Sequence, residues 1–156
     1  MSLLKHSITV LQKLVSHPSV SSTSNAAVSE TAGEALADLG FEIERTTYLD
    51  PHGVTKVNLV ARRLPKASDF KEESGLAYFC HTDVVPADEW IGPGGDPFCG
   101  VILNDRIYGR GSCDMKGSLV AMLSAVSRLP QNQQRAPLWV VCTADEEVGF
   151  LGAKDL

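Results

Sequence analysis

Leu76-Ala77-Tyr78-Phe79-Cys80-His81-Thr82-Asp83 carries the plainest structural signal in the chain. An uninterrupted apolar run gives way to an imidazole and a carboxylate. A run of this kind predicts a strand buried on both faces, as found where helices cover both sides of a parallel sheet. The pattern returns at Leu138-Trp139-Val140-Val141-Cys142, which leads into Thr143-Ala144-Asp145-Glu146-Glu147. Between the two, Leu119, Met122, Leu123, Val126 and Leu129 recur at helical spacing. Strand, helix and strand in that order predict an α/β layered fold with a largely parallel sheet.

Upstream, Leu4, Ile8, Leu11 and Val15 predict an amphipathic helix over 3–16, with Ser2 as its cap. A second helix is expected over 26–39, started by Ser24 or Asn25 and ended by Gly40 in the left-handed region. Beyond Gly40 the period becomes two at Phe41-Glu42-Ile43-Glu44. Asp50-Pro51-His52-Gly53 reads as a turn, 57–61 as a strand and the polar 65–74 as a loop. Asn104-Asp105, flanked by Val101-Ile102-Leu103 and Arg106-Ile107-Tyr108, predicts a hairpin. A further helix is expected to start after Gly149.

Composition narrows the function classes. The chain has 156 residues, 44% of them hydrophobic and 21% charged, with a formal net charge of -5. No Lys/Arg stripe is present, which argues against nucleic acid or an anionic membrane as partner. No apolar stretch nears the ~20 residues of a membrane span. Met1-Ser2-Leu3-Leu4-Lys5-His6 lacks the pattern of a secretory leader, so a cytoplasmic location is expected. Cys80, Cys99, Cys113 and Cys142 show no CxxC spacing and read as reduced thiols.

Three acidic motifs sit where strands end or helices begin. Ligands of open α/β sheets bind beyond the carboxyl ends of strands, so His81, Asp83, Asp114, Glu146 and Glu147 can converge on one edge. His81 and Asp83 would share a side of an extended segment. The two oxygens of Asp114 could bridge two cations, and adjacent Glu146 and Glu147 could divide metal binding from proton transfer. Each motif alone reads as a loop or a cap; together they point to a hydrolytic metal centre. His6, His17 and His52 read as surface, helix-end and turn residues, Trp139 as core, and Trp90 as a residue that could line the cleft.

His81-Thr82-Asp83-Val84-Val85-Pro86, Tyr108-Gly109-Arg110-Gly111, Asp114-Met115-Lys116-Gly117 and Thr143-Ala144-Asp145-Glu146-Glu147-Val148-Gly149 closely resemble the cocatalytic-zinc metallopeptidase family. That family includes acetylornithine deacetylase, succinyl-diaminopimelate desuccinylase, aminoacylase and carboxypeptidase G. The resemblance implies a three-layer αβα catalytic domain of the zinc-exopeptidase kind. It implies two divalent ions, zinc first, with cobalt or manganese as alternatives. His81 would bind the first, Asp114 bridge both and Glu147 bind the second; Glu146 would be the general base, with Asp83 orienting His81. It also implies a non-proline cis peptide at Asp114-Met115. The expected reaction is amide hydrolysis in an N-acyl amino acid or a peptide.

Members of the family continue beyond the Glu-Glu motif to further ligands and an inserted lid domain that makes the homodimer. Residues 1–156 are therefore expected to be the N-terminal part of the catalytic domain, inactive alone and weak in metal affinity. The segment Asp88 to Phe98 resembles the family's cleft-rim loop with glycines added. The alternatives are a dipeptidase or carboxypeptidase of the same family, a non-catalytic domain acting in partner binding, and a mononuclear metal-binding module.

Overall fold

The computed structural model describes residues 2–66 and 74–156. Of the loop expected over 65–74, residues 67–73 lie outside the described residues. The elements in chain order are α1 (Leu3–Val15), α2 (Ala26–Ala37), β1 (Glu42–Leu49), β2 (Thr55–Arg63), β3 (Leu76–His81), β4 (Val101–Leu103), β5 (Arg106–Tyr108), α3 (Lys116–Ser127), β6 (Leu138–Thr143) and α4 (Leu151–Asp155).

Local chemistry explains most boundaries. The Ser2 hydroxyl accepts the Lys5 N–H at 3.3 Å and starts α1. Gly40 takes φ +83° just past α2, which only glycine adopts without strain. In the turn after β1, Asp50 Oδ1 accepts the N–H groups of His52 and Val54 at 2.9 and 2.8 Å. Asn104 and Asp105, at φ 50° and 57°, make the tight turn between β4 and β5.

One sheet has the order β1-β2-β6-β3. The β3–β6 ladder is parallel, with α3 in the crossover, while β1–β2 and β2–β6 are antiparallel. The α/β class stands, but the sheet is mixed rather than largely parallel. The turn at 50–54 is too short to return a strand in parallel, so it enforces antiparallel pairing.

Helices α1, α2 and α3 cover one face. Leu14, Val28, Ala32, Leu36, Leu119 and Leu123 pack there on Leu59, Ala61, Cys80, Val140 and Cys142. On the other face, α4 docks at one end, where Asn58 Nδ2 donates to the Gly152 carbonyl at 3.0 Å. Helices therefore lie on both faces, the second layer being represented by α4 alone among the described residues. The strand read as buried on both faces is half open: Leu76 and Phe79 are 66% and 65% exposed. Trp139, expected in the core, is 36% exposed, and the Arg62 guanidinium lies 5.6 Å from its ring centroid. The reason is position. β3 is the edge strand, with only β6 beside it.

Asn25 does not cap α2 with its side chain; the Ser24 hydroxyl accepts the Ala26 N–H instead, at 3.4 Å. The buried Asn25 amide turns to β2, donating to Val57 O at 2.8 Å and accepting Val57 N–H at 2.8 Å. It also donates to Thr82 Oγ1 at 2.8 Å and Ser29 Oγ at 3.1 Å. The β2–β6 ladder ends at Leu59, so this side chain takes the place of a further strand residue. Asn25→Ala would leave buried backbone groups unpaired. We expect it to lower unfolding stability by about 2–3 kcal/mol, read from the denaturant midpoint at unchanged slope.

His17 Nε2 lies 2.8 Å from Thr31 Oγ1. Burial, then the Lys116 and Lys13 charges, hold its pKa below 6.5. The unfolded chain therefore binds a proton more readily at this site, and stability falls as pH drops through and below 6.5. Thermal melts between pH 7.5 and 5.5 should show that decline, and His17→Gln should flatten it.

Candidate metal centre

The parallel ladder sets His81 opposite Thr143, and Thr82 N–H donates to Thr143 O at 2.9 Å. The two motifs thus leave the carboxyl edge of the sheet side by side. Asp114 arrives from the segment between β5 and α3, and the Asp114–Met115 peptide is cis, as the resemblance implies.

His81 is buried, with Nδ1 2.9 Å from the Asp83 carbonyl oxygen. A carbonyl only accepts, so Nδ1 carries a proton and Nε2 faces the cluster. Nε2 lies 3.1 Å from Asp114 Oδ1 and 3.8 Å from Glu146 Oε2. Ligand atoms of His81, Glu146 and Glu147 all fall within 4.8 Å of one another.

Electrostatics agree with a cation site. Burial alone would lower the pKa of His81, but hydrogen bonds and charge from Asp83 and the Asp114 hydrogen bond raise it to about 9. Burial, with Asp114, Glu146 and Asp83 nearby, pushes Glu147 above the usual carboxylate range despite the pull of His81. A crowd of carboxylates around one imidazole nitrogen is the donor set of a divalent ion. The residues therefore fit a metal, and His81, Asp114, Glu146 and Glu147 are those that could hold it.

Asp83 faces the ring with two groups: its backbone oxygen receives Nδ1 at 2.9 Å, and its Oδ1 lies 3.6 Å from the same nitrogen. The carboxylate also accepts Glu146 N–H at 3.1 Å, Glu147 N–H at 3.3 Å and the Ser21 hydroxyl at 2.7 Å. One buried carboxylate so fixes the backbone of the Glu-Glu pair and, through its own backbone, the imidazole.

The sequence reading missed the cations and amides behind the site. Lys56 and Asp145 are buried at 1% and 0% exposure, paired at 2.9 Å, and Tyr48 OH donates to Asp145 Oδ2 at 2.8 Å. The Ala144 N–H donates to Asn58 Oδ1 at 3.2 Å. Gly152 approaches so closely that a Cβ would lie 2.4 Å from Ala144 O. Lys116 Nζ donates to His17 O at 3.1 Å; burial draws its pKa down to about 8, against the pull of Asp83. Three acidic residues in a row after a buried strand were the available signal that a buried cation was needed. No periodicity could say which lysine supplies it.

The segment 88–98 contributes Asp88, Pro97 and Phe98 to a groove of about 420 Å³ with Pro18, Val20 and Pro86. Trp90 does not line it. A second groove, of about 370 Å³ between α1, α2 and α3, includes His6 and none of the clustered acids. His17 and His52 also take no part in the cluster. All four cysteines are free, and no helix among the described residues is long and apolar enough to cross a membrane.

Residues 77–156 match the model of peptidase family M20/M25/M40. The chain is 40% identical over 147 residues to an acetylornithine deacetylase of Myxococcus xanthus, covering 94% of this chain and 36% of the relative. It is 35% identical over 140 residues to a succinyl-diaminopimelate desuccinylase of Ehrlichia ruminantium, covering 90% and 35%. Among solved structures, an M20 family metallo-carboxypeptidase from Sulfolobus solfataricus superposes with a TM-score of 0.72 at 28% identity, over 99% of this chain and 33% of that one. A dipeptidase of Saccharomyces cerevisiae shares the fold, with a TM-score of 0.79 at 22% identity over 98% and 34%. The chain thus spans about a third of the length of these relatives.

His81→Ala and Glu147→Ala should each weaken cobalt(II) binding to the chain by about tenfold or more, measured calorimetrically. His52→Ala should leave the isotherm unchanged.

Proposed function

Because the chain belongs to peptidase family M20/M25/M40, we propose that it supplies the N-terminal part of the catalytic domain of a metal-dependent amidohydrolase acting on N-acyl amino acids. The observation that carries this reading is the convergence of His81 Nε2 with Asp114, Glu146 and Glu147 at the sheet edge. In this reading His81, Asp114 and Glu147 would hold the metal. Two zinc ions would supply Lewis-acid polarisation of the amide carbonyl and a water acidified toward neutrality.

The chain's own residues do the rest. Glu146, half-buried beside His81, accepts the proton of the attacking water and returns it to the departing amine nitrogen. Asp83 keeps Glu146 and Glu147 in place through their N–H groups and holds the Nδ1–H tautomer of His81. The deacetylase and desuccinylase relatives favour acetyl or succinyl amino acids as substrates. The metallo-carboxypeptidase likeness favours a second reading, removal of a C-terminal residue from a peptide.

The test uses the protein purified from its own source and loaded with zinc or cobalt. N-acetylornithine, N-succinyl-diaminopimelate and a blocked dipeptide are compared. Glu146→Gln should keep the metal content and reduce kcat by about 10²–10⁴-fold. Full turnover in that variant, with metal intact, would remove Glu146 as the base.

A further inference from the structure

Behind the acidic cluster lies one ammonium group connected to both of its sides. Lys56 Nζ is 1% exposed and saturated: it pairs with Asp145 Oδ1 at 2.9 Å and donates to the carbonyls of Ser21 and Thr23. Asp50 Oδ2 lies 3.6 Å away as a weaker neighbour. Asp145 immediately precedes Glu146 and holds a left-handed φ of 56°, which aspartate tolerates. Lys56 on Oδ1 and Tyr48 OH on Oδ2 fix its side chain, and Leu151 N–H donates to its carbonyl at 3.3 Å. On the other side, Ser21, held at its carbonyl by Lys56, gives its hydroxyl to Asp83 Oδ2 at 2.7 Å. Asp83 then accepts the N–H groups of Glu146 and Glu147 and receives His81 Nδ1 on its backbone oxygen.

We propose that Lys56 is a positioning residue of the metal centre: through Asp145 on one side and Ser21–Asp83 on the other, it places Glu146, Glu147 and His81 together. It touches none of the candidate ligands and acts only through these two routes. The inference rests on the metal-centre reading above and extends it to a residue on a different strand. A buried ion pair serving stability alone could be replaced by neutral groups without loss at the site, and that difference makes the role testable.

The experiment titrates cobalt(II) into the chain and into Lys56→Met, Lys56→Met/Asp145→Asn and Tyr48→Phe, following heat and visible absorption, with thermal melts in parallel. Asn tolerates a left-handed φ, so the double variant removes both charges of the pair and keeps a partner for Tyr48, while Asp50 retains the N–H groups of His52 and Val54. Its melting temperature should lie nearer wild type than that of Lys56→Met. Its cobalt affinity should still fall by about tenfold, with an altered visible spectrum. Tyr48→Phe leaves the ion pair in place and stands in should Lys56→Met not fold; it should weaken binding severalfold with little change in melting temperature. A wild-type isotherm and spectrum in both the double variant and Tyr48→Phe would overturn the role of Lys56 while leaving the metal centre intact. A wild-type chain that takes up no cobalt would overturn the metal reading, and the inference with it.

Discussion

The in-register parallel pairing of β3 with β6 puts the acidic motifs within reach of one another. With Cys80 opposite Cys142 and His81 opposite Thr143, both strands run out of ladder at the same level. Parallel strands finish at the same edge, so the segments after them emerge as neighbours although 62 positions separate His81 from Thr143. The site is therefore a product of topology before it is one of side chains. α3 supplies the crossover, and Asp114 lies just ahead of it.

How much of this was legible depends on the kind of signal. The apolar runs announced both strands, Gly40 and Asn104-Asp105 their turns, and the spaced leucines their helices, because each is a local pattern with a local cause. The cluster His81, Asp114, Glu146 and Glu147 was legible through motifs that keep their spacing. The antiparallel pairing of β2 with β6 was not, since strand periodicity is the same whichever way a neighbour runs. Nor was the exposure of Phe79 and Trp139. An apolar run tells that a residue prefers burial, and only the arrangement of elements tells whether anything covers it.

Long-range polar pairing was invisible for a related reason. Lys56 stands two residues from Asn58 on one strand, and both reach the segment that follows β6. From sequence, a lysine at a strand's start belongs at the surface. Here it is among the most enclosed side chains in the molecule, because Asp145 needs a counter-charge and the carbonyls of Ser21 and Thr23 need a donor. The Asn25 side chain likewise forgoes a cap hydrogen bond to complete a ladder. In both cases the demand of buried polar groups for partners overrode local preference.

The alternation along β3 also limits how this chain can vary in length. Cys80 packs into the core and His81, one residue on, faces the opposite side and meets Asp114. Inserting a single residue upstream within the strand would exchange those environments, placing an imidazole in an apolar interior. Inserting two would restore the faces but carry the imidazole about 6.6 Å along the strand, out of reach of carboxylates now 3.1 to 3.8 Å away. The reach of β3 from the core to the cluster therefore leaves no room for an insertion within the strand.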